Sequence, residues 1–137
     1  MPDPKPPKRI FPEASTDARA AAHVPSSPQT ESAAYRLAFQ YPDTFASAGI
    51  FGMGAASGET QQIKSWLSAM NDENRVRVFL DCGDEDVASL RLAEAMKPLL
   101  DEAGVENQLH VGSGGHNYTY WLSNFEMYLK WVSQDWN

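Results

Sequence analysis

Arg75-Val76-Arg77-Val78-Phe79-Leu80-Asp81-Cys82-Gly83-Asp84-Glu85-Asp86, RVRVFLDCGDED, passes in twelve residues from a β-branched and aromatic run to a cluster of turn formers and carboxylates. A short apolar run that ends in glycine and acids reads as a buried strand, Val76 to Asp81, followed by a turn, CGDED. What lies on either side decides whether that strand belongs to a parallel sheet.

Upstream, Ile63, Trp66, Leu67 and Met70 recur at i, i+3, i+4 and i+7, and NDEN breaks the pattern before the strand. That spacing predicts an amphipathic helix. Before it, FASAGIFGMG reads as a buried strand running into a glycine-rich loop, and Ala34, Leu37, Ala38 and Tyr41 form a further helical stripe that Pro42-Asp43 ends. Downstream, Leu92, Met96, Leu99, Leu100 and Ala103 form a helix closed by Gly104, with Pro98 inside it and expected to kink it. A short strand NQLHV, a loop GSGGH and a last helix from about Asn117 to Ser133 complete the chain. Asn117 is the expected N-cap, and Trp121, Leu122, Phe125, Tyr128, Leu129 and Val132 share one face of that helix. Trp121 and Tyr128 are assigned to the core and Tyr118 to a pocket wall. The order α-β-α-β-α-β-α, with crossovers long enough for parallel pairing, gives an α/β sheet of about three strands flanked by helices. Its ligand site belongs at the carboxyl ends of the strands, where both CGDED and GSGGH fall.

The first 30 residues differ. Seven of the 9 prolines lie there, with no sustained apolar period, so residues 1–30 read as an irregular proline-rich tail and 31–137 as one domain. The 137 residues, 42% of them hydrophobic, suffice for one modest core. A formal net charge of −7 without a basic cluster argues against nucleic acid and anionic membranes as partners. With 1 cysteine, Cys82, no internal disulfide forms, and with 3 histidines at positions 23, 110 and 116 a Cys/His zinc cluster is excluded. MPDPKPPKRI lacks the apolar stretch of about 7 to 15 residues that a secretory leader needs. The expectation is a cytoplasmic protein without a cofactor.

The chemistry-bearing residues are in the two loops. A histidine after two glycines, GGHNYTYW, has the form of a catalytic base held in a loop. A serine hydrolase also requires a carboxylate on the second imidazole nitrogen, because that partner fixes the tautomer and stabilises the imidazolium. Asp86 lies beyond one strand and His116 beyond the next, so adjacent strand ends can supply both, in the chain order acid then histidine. Each has a plainer reading: Asp86 as the N-cap of the following helix, His116 as a loop histidine satisfied by backbone. Asp84 and Glu85 read as solvated charges, although three adjacent carboxylates also suggest a cation site. Cys82 reads as a buried, inert thiol, since DCGDED is the opposite of the electropositive setting a reactive cysteine needs.

The runs AAYRLAFQYPDTFASAGIFGMG, RVRVFLDCGDED and AEAMKPLLDEAGVENQLHVGSGGHNYTYWLSNFEMYLKWV together resemble the C-terminal part of the esterase D and enterochelin-esterase-like family of α/β-hydrolases, over about residues 31 to 136. The resemblance implies a truncated α/β-hydrolase and an ester-cleaving Ser-His-Asp triad, acting on acyl-thioesters, siderophore esters or the acetyl and feruloyl esters of plant polysaccharide. It places the acid at Asp86 and the base at His116. The nucleophile has no counterpart: the G-x-S-x-G turn should fall in Ser26-Ser27-Pro28-Gln29-Thr30-Glu31-Ser32, which contains no glycine, and the first glycine of the chain is Gly49. Such an elbow needs small neighbours around a strained nucleophile. Ser27 and Ser32 are therefore poor nucleophiles, and Ser113 lies in the base's own loop. The earlier strand and loop that supply oxyanion donors are absent too. Two functions remain: a carboxylic-ester hydrolase with acid and base but little activity alone, its substrate a small-molecule ester, or a non-catalytic binding unit that pairs with a protein partner or with itself through an exposed sheet edge.

Overall fold

A computed structural model describes residues 33–135. The proline-rich tail and the Ser26–Ser32 window lie outside the described residues. The elements are α1 (Ala33–Gln40), β1 (Ser47–Phe51), α2 (Thr60–Ala69), β2 (Arg77–Gly83), α3 (Val87–Glu102), β3 (Asn107–Gly112), α4 (Tyr118–Ser123), α5 (Phe125–Val132) and a 3-10 turn at Ser133–Asp135. The three strands form one sheet in the order β1-β2-β3, parallel throughout, with Ile50 opposite Leu80 and Leu80 opposite Leu109. This is the α/β arrangement expected from the sequence.

Strand alternation divides the core in two. Ala48, Ile50, Val78 and Leu80 point to one face, where they join Tyr35 and Phe39 of α1, Ile63 and Leu67 of α2, and Met96 and Leu100 of α3. Phe51 and Phe79 point to the other, against Tyr128 and Trp131 of α5. Each such side chain fully removed from water contributes roughly 1.5–3 kcal/mol, well above the ~0–1 kcal/mol of the exposed ion pairs such as Lys64–Glu102. Central β2 is buried at all seven positions, as a strand covered on both faces must be.

Two sequence expectations change. First, β2 runs two residues past Asp81, because Cys82 and Gly83 pair with Val111 and Gly112. Gly83 has to be a glycine: a Cβ there would stand 2.1 Å from the Gly114 carbonyl oxygen. Second, the last helix breaks at Asn124 and buries a different stripe. Tyr120, Tyr128 and Trp131 are in the core, Trp121 is half-buried, and Leu122, Phe125 and Leu129 are exposed. The break resets the helical phase, so a single periodicity drawn from 117 to 133 holds for Tyr128, with Trp121 and Val132 packed against the same cluster, and fails for Leu122, Phe125 and Leu129. Tyr118, assigned to a pocket wall, is exposed. α3 runs on through Pro98 to Glu102.

No described helix is long and apolar enough to cross a membrane.

Candidate active site

Parallel strands β2 and β3 deliver their following loops to the same end of the sheet, and the loops are stitched to each other. Asp84 N donates to the Gly112 carbonyl at 2.8 Å, Glu85 N to the Gly114 carbonyl at 2.9 Å, and Gly114 N to Asp84 Oδ1 at 2.9 Å. Asp84 thus braces the histidine loop, and Glu85 is exposed. Among the described residues no group of three His, Cys, Asp or Glu side chains is placed to hold a metal ion.

Within this frame His116 Nδ1 lies 2.7 Å from Asp86 Oδ2. The other carboxylate oxygen, Oδ1, accepts the Ser89 backbone N–H at 3.2 Å and so caps α3. The helix-cap reading of Asp86 accounts for one oxygen, and the other faces His116. The aspartate side chain is 10% exposed and the imidazole 37%, a carboxylate shielded from water beside a ring that solvent or substrate reaches. Asn117, next to His116, caps α4 by accepting the Tyr120 N–H at 3.0 Å, which sets where the histidine loop ends.

Two residues that sequence reasoning did not single out, Gly52 and Ser89, complete the surroundings of His116. Gly52, at the end of β1, has φ +75°, and a Cβ on it would meet His116 Cε1 at 2.7 Å and Nδ1 at 2.8 Å. The imidazole therefore packs where only glycine leaves room. Trp121 closes another side, edge-on to the imidazole at 4.9 Å between ring centres. Ser89 Oγ approaches Nδ1 at 3.3 Å. Nothing in the sequence pattern marks Gly52 or Ser89, since both come to His116 through tertiary folding.

Cys82 is fully buried, and burial first, then the negative charges of Asp81, Asp86 and Glu94, pushes its thiol up to about 11. It stays protonated at neutral pH and is no nucleophile.

No family description matches the chain, and no curated protein sequence does. Solved structures do. A ferulic acid esterase matches with a TM-score of 0.60 at 20% identity, over 77% of this chain and 48% of its own. The S-formylglutathione hydrolase of Staphylococcus aureus matches with a TM-score of 0.55 at 17% identity, over 76% and 47%. The capsule O-acetyltransferase of Neisseria meningitidis serogroup A matches at 0.57 and 14% identity, over 92% and 67%. The chain spans about half the length of the first two. At these identities the likeness is one of fold: a parallel sheet flanked by helices, shared with these structures.

Proposed function

We propose that residues 33–135 carry the acid and base of a serine esterase resembling the esterase D and enterochelin-esterase-like group, with a small-molecule carboxylic ester as substrate. The observation that supports it most is the 2.7 Å contact between Asp86 Oδ2 and His116 Nδ1 at the carboxyl ends of adjacent parallel strands. Asp86 holds the Nδ1 proton, so Nε2 is the nitrogen that takes the proton of an attacking serine and returns it to the leaving alcohol. Asp86 also stabilises the imidazolium between those two transfers.

The serine itself comes from outside the described residues. Ser89 is the serine that the structure places against the imidazole, and it meets Nδ1, the nitrogen already committed to Asp86. A base pair without its nucleophile has lost the covalent route, and with it an effective molarity on the order of 10⁵ M or more. The purified chain is therefore expected to hydrolyse p-nitrophenyl acetate within about tenfold of the buffer rate, and Asp86→Asn and His116→Ala remove whatever excess remains. A substantial rate that survives His116→Ala, or one abolished by Ser27→Ala alone, overturns this assignment.

The second reading, a non-catalytic assembly unit, draws on the solvent-facing apolar side chains of α4 and α5: Leu122, Phe125 and Leu129 are 57%, 41% and 43% exposed. Apolar residues clustered on a surface suit a protein partner or self-association. On that reading, His116→Ala leaves sedimentation and partner capture unchanged, while Leu122→Glu abolishes them.

A further inference from the structure

We propose that Ser89 is a positioning residue for His116, holding the imidazole in the Nδ1-protonated form. This rests on the acid-base reading above, which it deepens by naming the group that sets the state of the base.

Proton accounting carries the argument. Ser89 is 5% exposed and sits three residues after the cap of α3, where its backbone N–H bonds Asp86 Oδ1. Its hydroxyl donates to the Gly52 carbonyl at 2.6 Å. A hydroxyl has one hydrogen, so with that hydrogen committed Oγ can offer only lone pairs to His116 Nδ1, 3.3 Å away. Asp86 Oδ2 offers lone pairs to the same nitrogen at 2.7 Å. Two acceptors converge on Nδ1, and both are satisfied only when Nδ1 bears the proton.

The Gly52 carbonyl is itself held in place. Gly52 N donates to the Asp81 carbonyl at 2.7 Å, extending the β1–β2 ladder by one residue, and the positive φ of Gly52 follows at once. Ser89 therefore links three segments, the end of β1, the start of α3 and the β3–α4 loop, and converges them on the base. Ser89 is not itself the nucleophile: it is buried, it contacts the wrong nitrogen, and its hydrogen points at Gly52.

The test uses the full chain labelled with ¹⁵N in its histidine rings, read by long-range ¹H–¹⁵N correlation at neutral pH. His116 is expected to show a protonated Nδ1. In Ser89→Ala, exchange of that proton with water accelerates about tenfold, the effect of removing one net hydrogen bond, and the two ring nitrogens shift toward a mixture of tautomers. Ser89→Thr, which keeps the hydroxyl, restores the wild-type spectrum. Ser89→Cys preserves volume with a weaker acceptor and takes the place of the alanine variant if that one fails to fold. His110 is the internal control, because its Nδ1 is bound to Asp81 on β2 at 2.6 Å and its signals should not move. The proposal is overturned by a His116 signature that Ser89→Ala or Ser89→Cys leaves unchanged, or by wild-type protein with the proton on Nε2. No turnover is needed, so failure of the esterase assay and failure of this result are separate events.

Discussion

Two aspartate–histidine pairs stand on strands β2 and β3 or just beyond them, with nearly the same separation in sequence and opposite characters. Asp86 and His116 are 30 residues apart, their contact is 2.7 Å, and they lie in loops. Asp81 and His110 are 29 apart, their contact is 2.6 Å, and they face each other across the sheet as register partners. Asp86 has one oxygen for a helix cap and one for histidine. Asp81 is completely buried and surrounded by donors: His110 Nδ1 and the Tyr120 hydroxyl at 3.0 Å on Oδ1, and the Tyr128 hydroxyl on Oδ2. Partners drawn from β3, α4 and α5 make Asp81 a tie between the sheet and the C-terminal helices. The same two residue types thus tie the fold together when the aspartate is buried among donors, and on the function proposed above they supply acid and base when the pair is set in loops beyond the strands.

The comparison breaks most severely at Asp81. Asp81→Ala leaves two tyrosine hydroxyls and an imidazole N–H facing a cavity, and removing one partner of a buried charged network costs about 3–5 kcal/mol. For a domain of this size, that is a large share of the whole stability. Urea denaturation followed by tryptophan fluorescence should show it as a collapse of the midpoint, or as protein that does not fold at all. The His116 loop is expected to loosen as well. Tyr120 reaches Asp81, contacts the Cys82 carbonyl at 2.7 Å and accepts the Gly112 N–H at 3.2 Å, just before that loop.

High pH strikes the same half of the comparison. Burial first, then the charge and hydrogen bond of Asp81, raise the Tyr120 and Tyr128 phenols, and burial raises Cys82 to about 11 from an ordinary 9.0. As pH climbs past 9, the unfolded chain gives up these protons while the folded chain keeps them. The unfolded state then binds fewer protons than the native one, so stability is full below about 9 and falls as pH rises toward 11 and beyond. The tyrosinate absorbance of Tyr120 and Tyr128 should appear late and together with loss of near-ultraviolet circular dichroism, a signature that Tyr128→Phe reduces.

How much of this was legible in the sequence follows from which contacts are local. The strand-helix alternation, the Asn117 cap and the two loops at the carboxyl ends could be read because each depends on residues within a few positions of one another. Asp86 and His116 were readable through their glycine-flanked loops and the resemblance they carry. Asp81–His110 was not, since Asp81 ends an apolar run like any turn residue and His110 alternates within a strand. Gly52 and Ser89 were hidden for the same reason: their significance is a distance to His116 across the fold. The buried face of the last helix was read in part: Tyr128 is in the core as expected, but Asn124 divides the helix, so Leu122, Phe125 and Leu129 are exposed and Tyr120 and Trp131 are buried instead.

The smallest effect on stability is the most informative about the site. Asparagine caps helices as well as aspartate does, so Asp86→Asn should shift the urea midpoint by no more than about 0.5 kcal/mol equivalent. The cap nevertheless dictates how the new amide sits. The Ser89 backbone N–H requires an acceptor, which fixes the amide oxygen where Asp86 Oδ1 now lies. The NH₂ group then occupies the place of Oδ2, facing His116 Nδ1. A donor there can be met only by a lone pair, and at 2.7 Å it outweighs the Ser89 lone pair at 3.3 Å, so the imidazole moves its proton to Nε2, the nitrogen that has to be vacant for a base. Asp86→Asn is therefore expected to leave a folded protein whose His116 shows the inverted tautomer in the ring ¹⁵N spectrum, while His110 remains as it was. An unchanged His116 tautomer in a folded Asp86→Asn protein would mean that the carboxylate does not orient the base, and the distinction between the two pairs would lose its chemical half.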